Sequence, residues 1–240
     1  MANLFIIKPL QLPGFFGTAC AFLLKLTTSG MIMLLIAIQV SGQALLIDNY
    51  DYPVGDSLNI IHGYTKQGTN PSSTNILVVN GGLSYSFYAS SGIGNSVQLI
   101  GAVNGQDVFK PFVPTAMTSG SVYVACLVSI SGATTSGDYF LANKIDMNTS
   151  NTASVVRARV YIKGDGANGL AFGIAKGTTP PTDGWTGFSY TTNTTYLLVY
   201  KDTFVLGTTN DNGDRFINPI PGNPEPAPTM KAHNSSYPGQ

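Results

Sequence analysis

The sequence predicts an all-β protein whose strands form two antiparallel sheets packed face to face. Between Leu45 and Asn218, short apolar or alternating runs are separated by clusters of Gly, Asn, Asp, Ser and Pro, a pattern typical of strands joined by turns. Charged residues make up only 10% of the 240 residues, against about a quarter in ordinary globular proteins. No segment has a sustained helical period. About ten or more strands at this spacing favour a two-sheet sandwich.

The chain divides into three predicted parts. Residues 1–44 form an apolar leader, residues 45–218 form the sandwich domain, and residues 219–240 form a tail. The tail sequence, PIPGNPEPAPTMKAHNSSYPGQ, contains six prolines and no apolar period. Because proline cannot donate a hydrogen bond to a neighbouring strand, we expect the tail to be extended and poorly packed.

The leader has the pattern of a signal peptide. Its second apolar segment has a ten-residue core, Met31 to Val40, which is too short to span a bilayer and typical of a signal-peptide core. Lys25 supplies positive charge before this core, and Gly42 and Ala44 are small residues at the positions that cleavage requires. We therefore expect a mature chain that begins near Leu45 and is secreted or held at the cell surface. The alternative is that the leader stays uncleaved and anchors the protein in a membrane.

The net charge argues against two classes of partner. Twelve basic and twelve acidic residues cancel over the whole chain. The leader contains Lys8 and Lys25 and no acidic residue, so its removal leaves ten basic and twelve acidic residues, a net charge of −2. Since no basic face is predicted, we expect no nucleic-acid partner and no attraction to anionic lipid.

The two cysteines predict no disulfide in the mature protein. Cys20 lies in the leader and is removed with it, which leaves a single thiol. Cys126 lies in SVYVACLVSI, where every second residue is apolar. We interpret Cys126 as a small buried hydrophobic residue rather than a nucleophile.

Alternation and turn residues locate two hairpins. In VVRARVYI, one set of alternate residues is apolar and the other carries two arginines and a tyrosine, which predicts a strand with one wet face. The apolar face comprises Val156, Ala158, Val160 and Ile162, and the wet face comprises Arg157, Arg159 and Tyr161. The following GDGANG predicts a tight turn into LAFGI, and Asn212-Gly213 predicts a second hairpin turn.

Several runs, taken in order, carry a family resemblance. They are LLIDNYDYPVGDSL, GTNP, YASSGIGNSVQL, NGQDVFKPF, GSVYVACLVSISGATTSGDYF, RVYIKGDGANGLAFGIAKG, TTYLLVYKDTF and NPEPAPT. Together they resemble the concanavalin A-like lectin/glucanase, or LamG-like, modules of secreted Bacteroidetes-type proteins, over most of Leu45 to Thr229. The resemblance implies a jelly-roll sandwich on an exported protein. It implies little about chemistry, because this fold carries lectins, glycosidases and structural modules alike.

The sequence departs from that family at its end. Members usually continue past the Pro-rich segment to an aspartate-rich closing strand beside the first strand, whereas this sequence ends at Gln240. We therefore expect the closing strand to be missing. The first strand, which begins at Leu45, would then be an unprotected sheet edge. In this strand we expect Leu45, Ile47 and Tyr50 to face a core, followed by a turn at Pro53-Val54-Gly55.

The carboxylates argue against glucanase chemistry. Retaining hydrolysis needs two carboxyl groups about 5 Å apart, and the family supplies them from a strand with two glutamates. This chain has one glutamate, Glu225, which lies in the Pro-rich segment. The remaining candidates are aspartates, and their spacing selects no pair. They include Asp48, Asp51, Asp138 and Asp146.

A nucleophile activated by histidine is equally unsupported. Such a device needs a histidine beside a serine or cysteine, and the chain has only His62 and His233, the second of which lies in the tail. We interpret His62 as a surface residue at a strand end. We assign no catalytic residue.

Carbohydrate binding has one candidate site. Glycan recognition needs an exposed aromatic ring beside polar groups on a rigid scaffold. Trp185, the only tryptophan, lies in PPTDGWTGFSY near Asp183 and Tyr190. We predict these three residues as the ligand site. The alternative is that Trp185 packs over a sheet edge.

Calcium is the one metal that the residue types allow. We expect no cofactor, with a structural Ca²⁺ as the alternative, because Ca²⁺ binds oxygen ligands on loops. Asp48 and Asp51 in the opening stretch are the candidate ligands. Their simpler interpretation is as solvated strand and turn residues. The run NDNGD, Asn210 to Asp214, is more simply a hairpin turn.

Three functions stay open at this stage. The first is a non-catalytic module that binds carbohydrate or a surface polymer. The second is a structural or adhesive spacer of a larger secreted protein. The third, which the residues favour least, is a glycoside hydrolase that uses aspartates.

Overall fold

The structure, a computed structural model, confirms the all-β prediction. It describes residues 4–9, 44–58, 62–67, 74–101, 106–112, 119–145, 155–175, 181, 184–206 and 211–232. Within these residues the elements are β1 (Leu4–Pro9), β2 (Thr65–Gln67), β3 (Leu77–Val79), β4 (Ser96–Ile100), β5 (Asp107–Phe109), β6 (Gly120–Ile130), β7 (Asp138–Ile145), β8 (Val155–Gly164), β9 (Gly169–Ala175), β10 (Tyr190–Thr191), β11 (Thr195–Phe204), β12 (Asn212–Ile217) and β13 (Met230–Ala232). The described ranges contain no helix, and so none that could cross a membrane.

The strands form three antiparallel sheets. A seven-stranded sheet has the order β13-β12-β11-β6-β1-β4-β3, a four-stranded sheet has the order β10-β9-β8-β7, and β2 pairs with β5. The longest pairing joins β6 to β11 over ten residues, from Thr195↔Ser129 to Phe204↔Gly120. These two strands form the rigid centre of the larger sheet.

The main core lies between the seven-stranded and four-stranded sheets. Strands β6 and β11 supply one side, and β8 and β9 supply the other. The buried members are Cys126, Val128, Ile130, Val160, Ile162, Leu170, Phe172, Ile174, Tyr196, Leu198, Tyr200 and Met230. Cys126 is therefore a core residue, as predicted.

A second layer covers the opposite face of the larger sheet. Leu127 and Leu197 point away from the main core and pack with Tyr88, which is only 3% exposed. Tyr88 belongs to the 81–95 loop, so this loop shields the sheet from solvent. Both faces of the larger sheet are consequently apolar at its centre.

The structure confirms one hairpin and corrects the position of another turn. Strands β8 and β9 pair from Gly164↔Leu170 onward, and the predicted turn joins them. Strands β11 and β12 also form an antiparallel pair. However, Asn212 and Gly213 lie within β12, opposite Thr203 and Asp202. The prediction of a turn at Asn212-Gly213 is wrong because cross-strand pairing holds both residues in the sheet.

The alternation in β8 is confirmed for Val160 to Ile162, but Tyr161 on the second face is not wet. The side chains of residues 155–158 lie outside the description. Val160 and Ile162 lie in the main core. Tyr161, on the opposite face, is only 2% exposed, because Trp185 packs beside it with ring centroids 6.1 Å apart. Aromatic side chains thus cover a face that the sequence predicts to be solvated.

The opening stretch forms a turn but no regular strand. Asp56 N donates to Pro53 O at 3.1 Å, with Gly55 at φ 93°, so the predicted turn at Pro53-Val54-Gly55 is confirmed. Leu45 and Ile47 are 43% and 41% exposed, so the expectation that they face a core is wrong, whereas Tyr50 is buried in a smaller core.

The end of the stretch does lie at a sheet edge, because Ser57 bridges to Leu77 of β3, the terminal strand of the larger sheet, and Leu58 N donates to Ile76 O at 3.0 Å. Whether this edge is unprotected stays a prediction.

The part of the tail that follows the prolines is better packed than the composition of the tail predicts. Met230 to Ala232 form β13, which pairs with β12 at the edge of the larger sheet. Met230 is 8% exposed and belongs to the main core. The expectation of a poorly packed tail is therefore wrong for this part, while residues 233–240 lie outside the described residues.

The first strand comes from the predicted leader. Strand β1 contains Lys8 and lies between β4 and β6 in the larger sheet. Residues 10–43, which include Cys20 and most of the predicted leader, lie outside the described residues. Removal of the leader stays a prediction.

Candidate functional site

The structure separates the residues of the predicted ligand site. Tyr190 pairs with Leu170 and packs edge-on against Phe172 and Tyr196, with centroids 5.1 and 5.3 Å away, on the core side of the four-stranded sheet. Trp185 lies on the other side of this sheet, against Gly173. Asp183 lies outside the described residues. Trp185 and Tyr190 therefore do not form one site.

Backbone hydrogen bonds fix Trp185 on the outward face. Ile174 N donates to Gly184 O at 3.1 Å, and Thr186 N donates to Phe172 O at 2.8 Å. The indole Nε1 donates to Pro181 O at 2.8 Å. Because its polar atom already has an acceptor, the indole can lie half-buried on the sheet without an unpaired donor.

Gly173 provides the surface on which the indole lies. A Cβ at this position would come within 2.8 Å of Trp185 Cε3 and 2.9 Å of Cζ3. Only a residue without a side chain allows this close approach. The position of the indole ring therefore depends on the absence of a side chain at Gly173.

Gly173→Ala is expected to displace the indole. The added methyl group overpacks the contact, and we expect it to lower the free energy of unfolding by about 1–3 kcal/mol. Urea denaturation followed by the emission of Trp185 measures this directly. Gly187→Ala is the matched control, because its Cβ would meet only Ser189 Oγ at 3.5 Å. An equal effect of the two substitutions would contradict the packing role of Gly173.

Three aromatic rings form a row across the outward face. Tyr139 of β7, Tyr161 of β8 and Trp185 lie edge to face, with neighbouring centroids 6.1 Å apart in both pairs. Two cations stack on the ends of this row. The Arg159 guanidinium lies 4.3 Å from the Tyr139 centroid, and Lys163 Nζ lies 4.4 Å from the Trp185 centroid. We call these five residues the aromatic row.

Exposed groups border the aromatic row at both ends. Phe188 is 49% exposed, and Lys163 Nζ lies 5.6 Å from its ring centroid. At the other end Tyr139 Oη donates to Asp107 Oδ2 at 2.9 Å. Burial and the nearby Asp107 carboxylate raise the pKa of Tyr139 to about 12, so its hydroxyl stays protonated at neutral pH. The row thus combines apolar rings, two fixed cations and a carboxylate.

Asp48 lies in a second polar cluster, behind the opening turn. Its Oδ2 accepts hydrogen bonds from Tyr52 Oη at 2.9 Å, Tyr64 Oη at 3.0 Å and Lys110 Nζ at 2.7 Å. Its Oδ1 accepts from Tyr50 N at 3.0 Å. The carboxylate side chain is 3% exposed, so the expectation that Asp48 is solvated is wrong.

This cluster is arranged to hold a carboxylate anion. Burial raises the pKa of both Tyr52 and Tyr64, so their hydroxyls stay protonated and act as donors. Burial alone would lower the pKa of Lys110, but the hydrogen bond and charge of Asp48 outweigh it and raise that pKa. The ammonium group therefore fills the position of a counter-ion to Asp48.

The calcium prediction gains no support from this geometry. Asp51 is exposed, whereas Asp48 is buried against Lys110. The described ranges contain no group of three or more His, Cys, Asp or Glu side chains that could hold a metal. In the run NDNGD, residues 212–214 belong to β12. Binding of Ca²⁺ stays a prediction.

Two residues considered for catalysis, Glu225 and His62, lie apart from the aromatic row, whereas Asp138 directly precedes Tyr139 and Asp146 lies outside the described residues. Glu225 accepts hydrogen bonds from Lys201 Nζ at 2.8 Å and Tyr123 Oη at 2.6 Å on the larger sheet. Burial alone would raise the pKa of Glu225, but these hydrogen bonds and the Lys201 charge lower it. His62 Nε2 lies 3.0 Å from Asp56 Oδ2, and its ring stacks on Tyr52 at 3.5 Å. Both residues thus have structural partners.

Cys126 is expected to be unreactive in the folded protein. Burial raises the pKa of its thiol to about 12 from 9.0, although the charge of Arg215 acts in the opposite direction. A disulfide reagent at pH 8 should label the thiol only after denaturation, since the thiolate is the reactive form. Because the unfolded thiol ionises near pH 9 and the folded one does not, stability should fall as pH rises above about 9. Rapid labelling of the folded protein would contradict the burial of Cys126.

Sequence reasoning singled out Trp185 but did not connect it with the other members of the aromatic row. The alternation of VVRARVYI predicts that Arg159 and Tyr161 share a face, and continuing this period places Lys163 beside them. Tyr139 needed the pairing of β7 with β8, Tyr139↔Tyr161, which the sequence does not indicate. The sequence therefore contained a signal for every member of the row except Tyr139, but none that brings Trp185 together with the others.

Comparison of the chain with protein-family models, curated proteins and solved structures found no match. The resemblance to lectin-like modules thus depends on the sequence runs alone. A function has to be argued from the geometry of the site.

Proposed function

We propose that the protein is an exported jelly-roll module, related to concanavalin A-like lectins, that binds carbohydrate or a surface polymer through its aromatic row. The observation that carries this proposal is the arrangement of rings across the outward face of the four-stranded sheet, where Tyr139 and Trp185 are partly exposed and the buried Tyr161 packs between them. Carbohydrate sites combine an aromatic surface with a few fixed polar groups on a rigid scaffold. Strands β7, β8 and β9 supply that scaffold.

The polar groups of the row suit a saccharide with acidic substituents. Lys163 and Arg159 present two cations on one face, and each is held over an aromatic ring. Stacking restricts these long side chains before a ligand arrives, which reduces the entropy lost on binding. Asp107, beside Tyr139, can accept hydrogen bonds from sugar hydroxyl groups.

Retention on insoluble polysaccharides and on a glycan array tests the proposal. The full chain is compared with the double variant Phe188→Ala, Lys163→Ala, which alters the exposed end of the row. We expect the double variant to bind at least about tenfold more weakly, equivalent to about 1.4 kcal/mol. Phe87→Ala is the matched control, because Phe87 is an 83% exposed aromatic residue in the 81–95 loop. Equal loss in the control, or no binding to any glycan, would favour the structural spacer instead.

A further inference from the structure

The larger sheet contains a slot that is one strand wide, between β4 and β6. Within the described residues these two strands do not pair with each other, and each pairs with β1. The pairing with β4 covers four residues, Leu4↔Ile100 to Ile7↔Val97, and the pairing with β6 covers five. Neighbouring strands lie about 4.8 Å apart, so β4 and β6 are separated by about twice that distance.

The walls of the slot require an occupant. Val97 of β4 and Val128 of β6 are 2% and 0% exposed, and they flank β1 opposite Ile7. An empty slot would expose these apolar side chains to water. It would also leave backbone N–H and C=O groups of both strands without partners in the middle of a sheet.

The strand that fills the slot belongs to the predicted leader. Cleavage after Ala44 would remove Leu4–Pro9 from the mature protein. Under the export proposed above, the strand position beside the main core would lose the segment that fills it.

We propose that this slot is a strand-acceptor site for an extended segment of a partner polypeptide. Because β1 is antiparallel to both neighbours, β4 and β6 run parallel to each other, and one inserted strand can be antiparallel to both. The segment needs about six residues, with apolar side chains at the register positions of Phe5 and Ile7. This is β-strand addition, and it rests on the export in the proposed function and not on carbohydrate binding.

Strand exchange in the full chain tests the proposal. A specific protease site is placed between Thr27 and Gly30, the chain is cut, and a fluorescent peptide of sequence NLFIIKPL is added in excess. We expect the peptide to replace the cut fragment. A peptide with Phe5→Asp and Ile7→Asp should bind at least about a hundredfold more weakly, because it places charges against buried apolar walls.

Hydrogen exchange on the same sample shows whether the peptide binds between β4 and β6. Amides of β4 and β6 should exchange about tenfold or more faster once the fragment is removed, and should be protected again when the peptide binds. Unchanged exchange after removal, or equal binding of the charged peptide, would overturn the proposal. Dimerisation of the cut protein without peptide binding would also overturn it, in favour of a second copy as occupant.

Processing is measured separately by the intact mass of protein exported from a bacterial host. A chain that begins near Leu45 supports the proposal, whereas retention of Leu4–Pro9 shows that β1 is permanent and overturns it. Polysaccharide retention of the same sample reports on carbohydrate binding alone. Failure of the strand-acceptor site is therefore distinguishable from failure of the proposed function.

Discussion

Asp48→Ala is expected to lower the free energy of unfolding by about 3–5 kcal/mol, because it removes one partner of a buried ion pair. The substitution leaves Lys110, 20% exposed, without its 2.7 Å contact. It also removes the acceptor of the Tyr52 and Tyr64 hydroxyls. Lys110 would keep only its longer 3.4 Å contact with Tyr52 Oη, so these partly buried donors would lose their main acceptor. Urea denaturation of the full chain measures the loss.

Asp51→Ala is the matched control for this substitution. Asp51 is exposed and lies three residues away in the same stretch, so its removal should change stability by less than about 0.5 kcal/mol. The pair also tests the calcium prediction. If both aspartates bound Ca²⁺, millimolar Ca²⁺ would stabilise the natural chain and neither variant. Similar losses in the two variants would contradict the ion pair as the role of Asp48.

The ion pair between Asp48 and Lys110 should lose its stabilising effect at strongly alkaline pH. The pKa of Lys110 is raised in the folded state. The contribution of the ion pair to the free energy of unfolding is therefore fully present below the unfolded pKa of 10.5. It is lost as pH rises through the raised folded value. The difference in stability between the natural chain and Asp48→Ala should accordingly shrink only at strongly alkaline pH.

Arg215→Met is expected to stabilise the protein, by about 2 kcal/mol. Arg215 of β12 is fully buried, and its Nε, Nη1 and Nη2 atoms make no hydrogen bond within the described residues. Its cross-strand neighbours are Tyr200 and Met230, both in the main core. The guanidinium lies 5.7 Å from the Tyr200 ring centroid. Methionine matches the aliphatic part of arginine and buries no charge.

The pKa of Arg215 sets the pH range of this effect. Burial lowers the pKa to about 10 from 12.5, so the cation is present at neutral pH in both the folded and the unfolded chain. A shift of this size corresponds to about 3 kcal/mol. The destabilisation is therefore complete below pH 10 and is relieved only as pH rises from about 10 towards 12.5.

Arg159→Met is the control for arginine removal. Arg159 stacks on Tyr139 at the partly exposed outward face, so we expect a loss of up to about 1 kcal/mol. In both thermal and urea unfolding, Arg215→Met should thus raise the stability of the protein and Arg159→Met should lower it. Strong destabilisation by Arg215→Met would contradict an unpaired guanidinium.

Local patterns in the sequence predicted strands, turns and one buried residue. Alternation located β8, and the GDGANG turn located its hairpin with β9. Cys126 was predicted to be buried because every second residue of its strand is apolar. These features depend on residues that are close together along the sequence, so local patterns are enough to predict them.

Long-range pairing explains what the sequence did not predict. Lys110 reaches Asp48 across 62 residues, so no local pattern shows that this carboxylate is buried. Trp185 and Tyr190 are five residues apart, yet they lie on opposite faces because Trp185 bridges to Gly173 while Tyr190 pairs with Leu170. Sequence proximity was therefore a poor guide to the site. The aromatic row is assembled by the pairing of β7 with β8.

Carbohydrate binding at the aromatic row is tested most directly by the fluorescence of Trp185. Because this is the only tryptophan in the chain, its emission reports on one position in the row. Titration with a polysaccharide that retains the protein should give a saturable change in emission and protect the indole from acrylamide quenching. The double variant Phe188→Ala, Lys163→Ala should require at least about tenfold more ligand. Retention on polysaccharide with unchanged emission and quenching would contradict binding at this face.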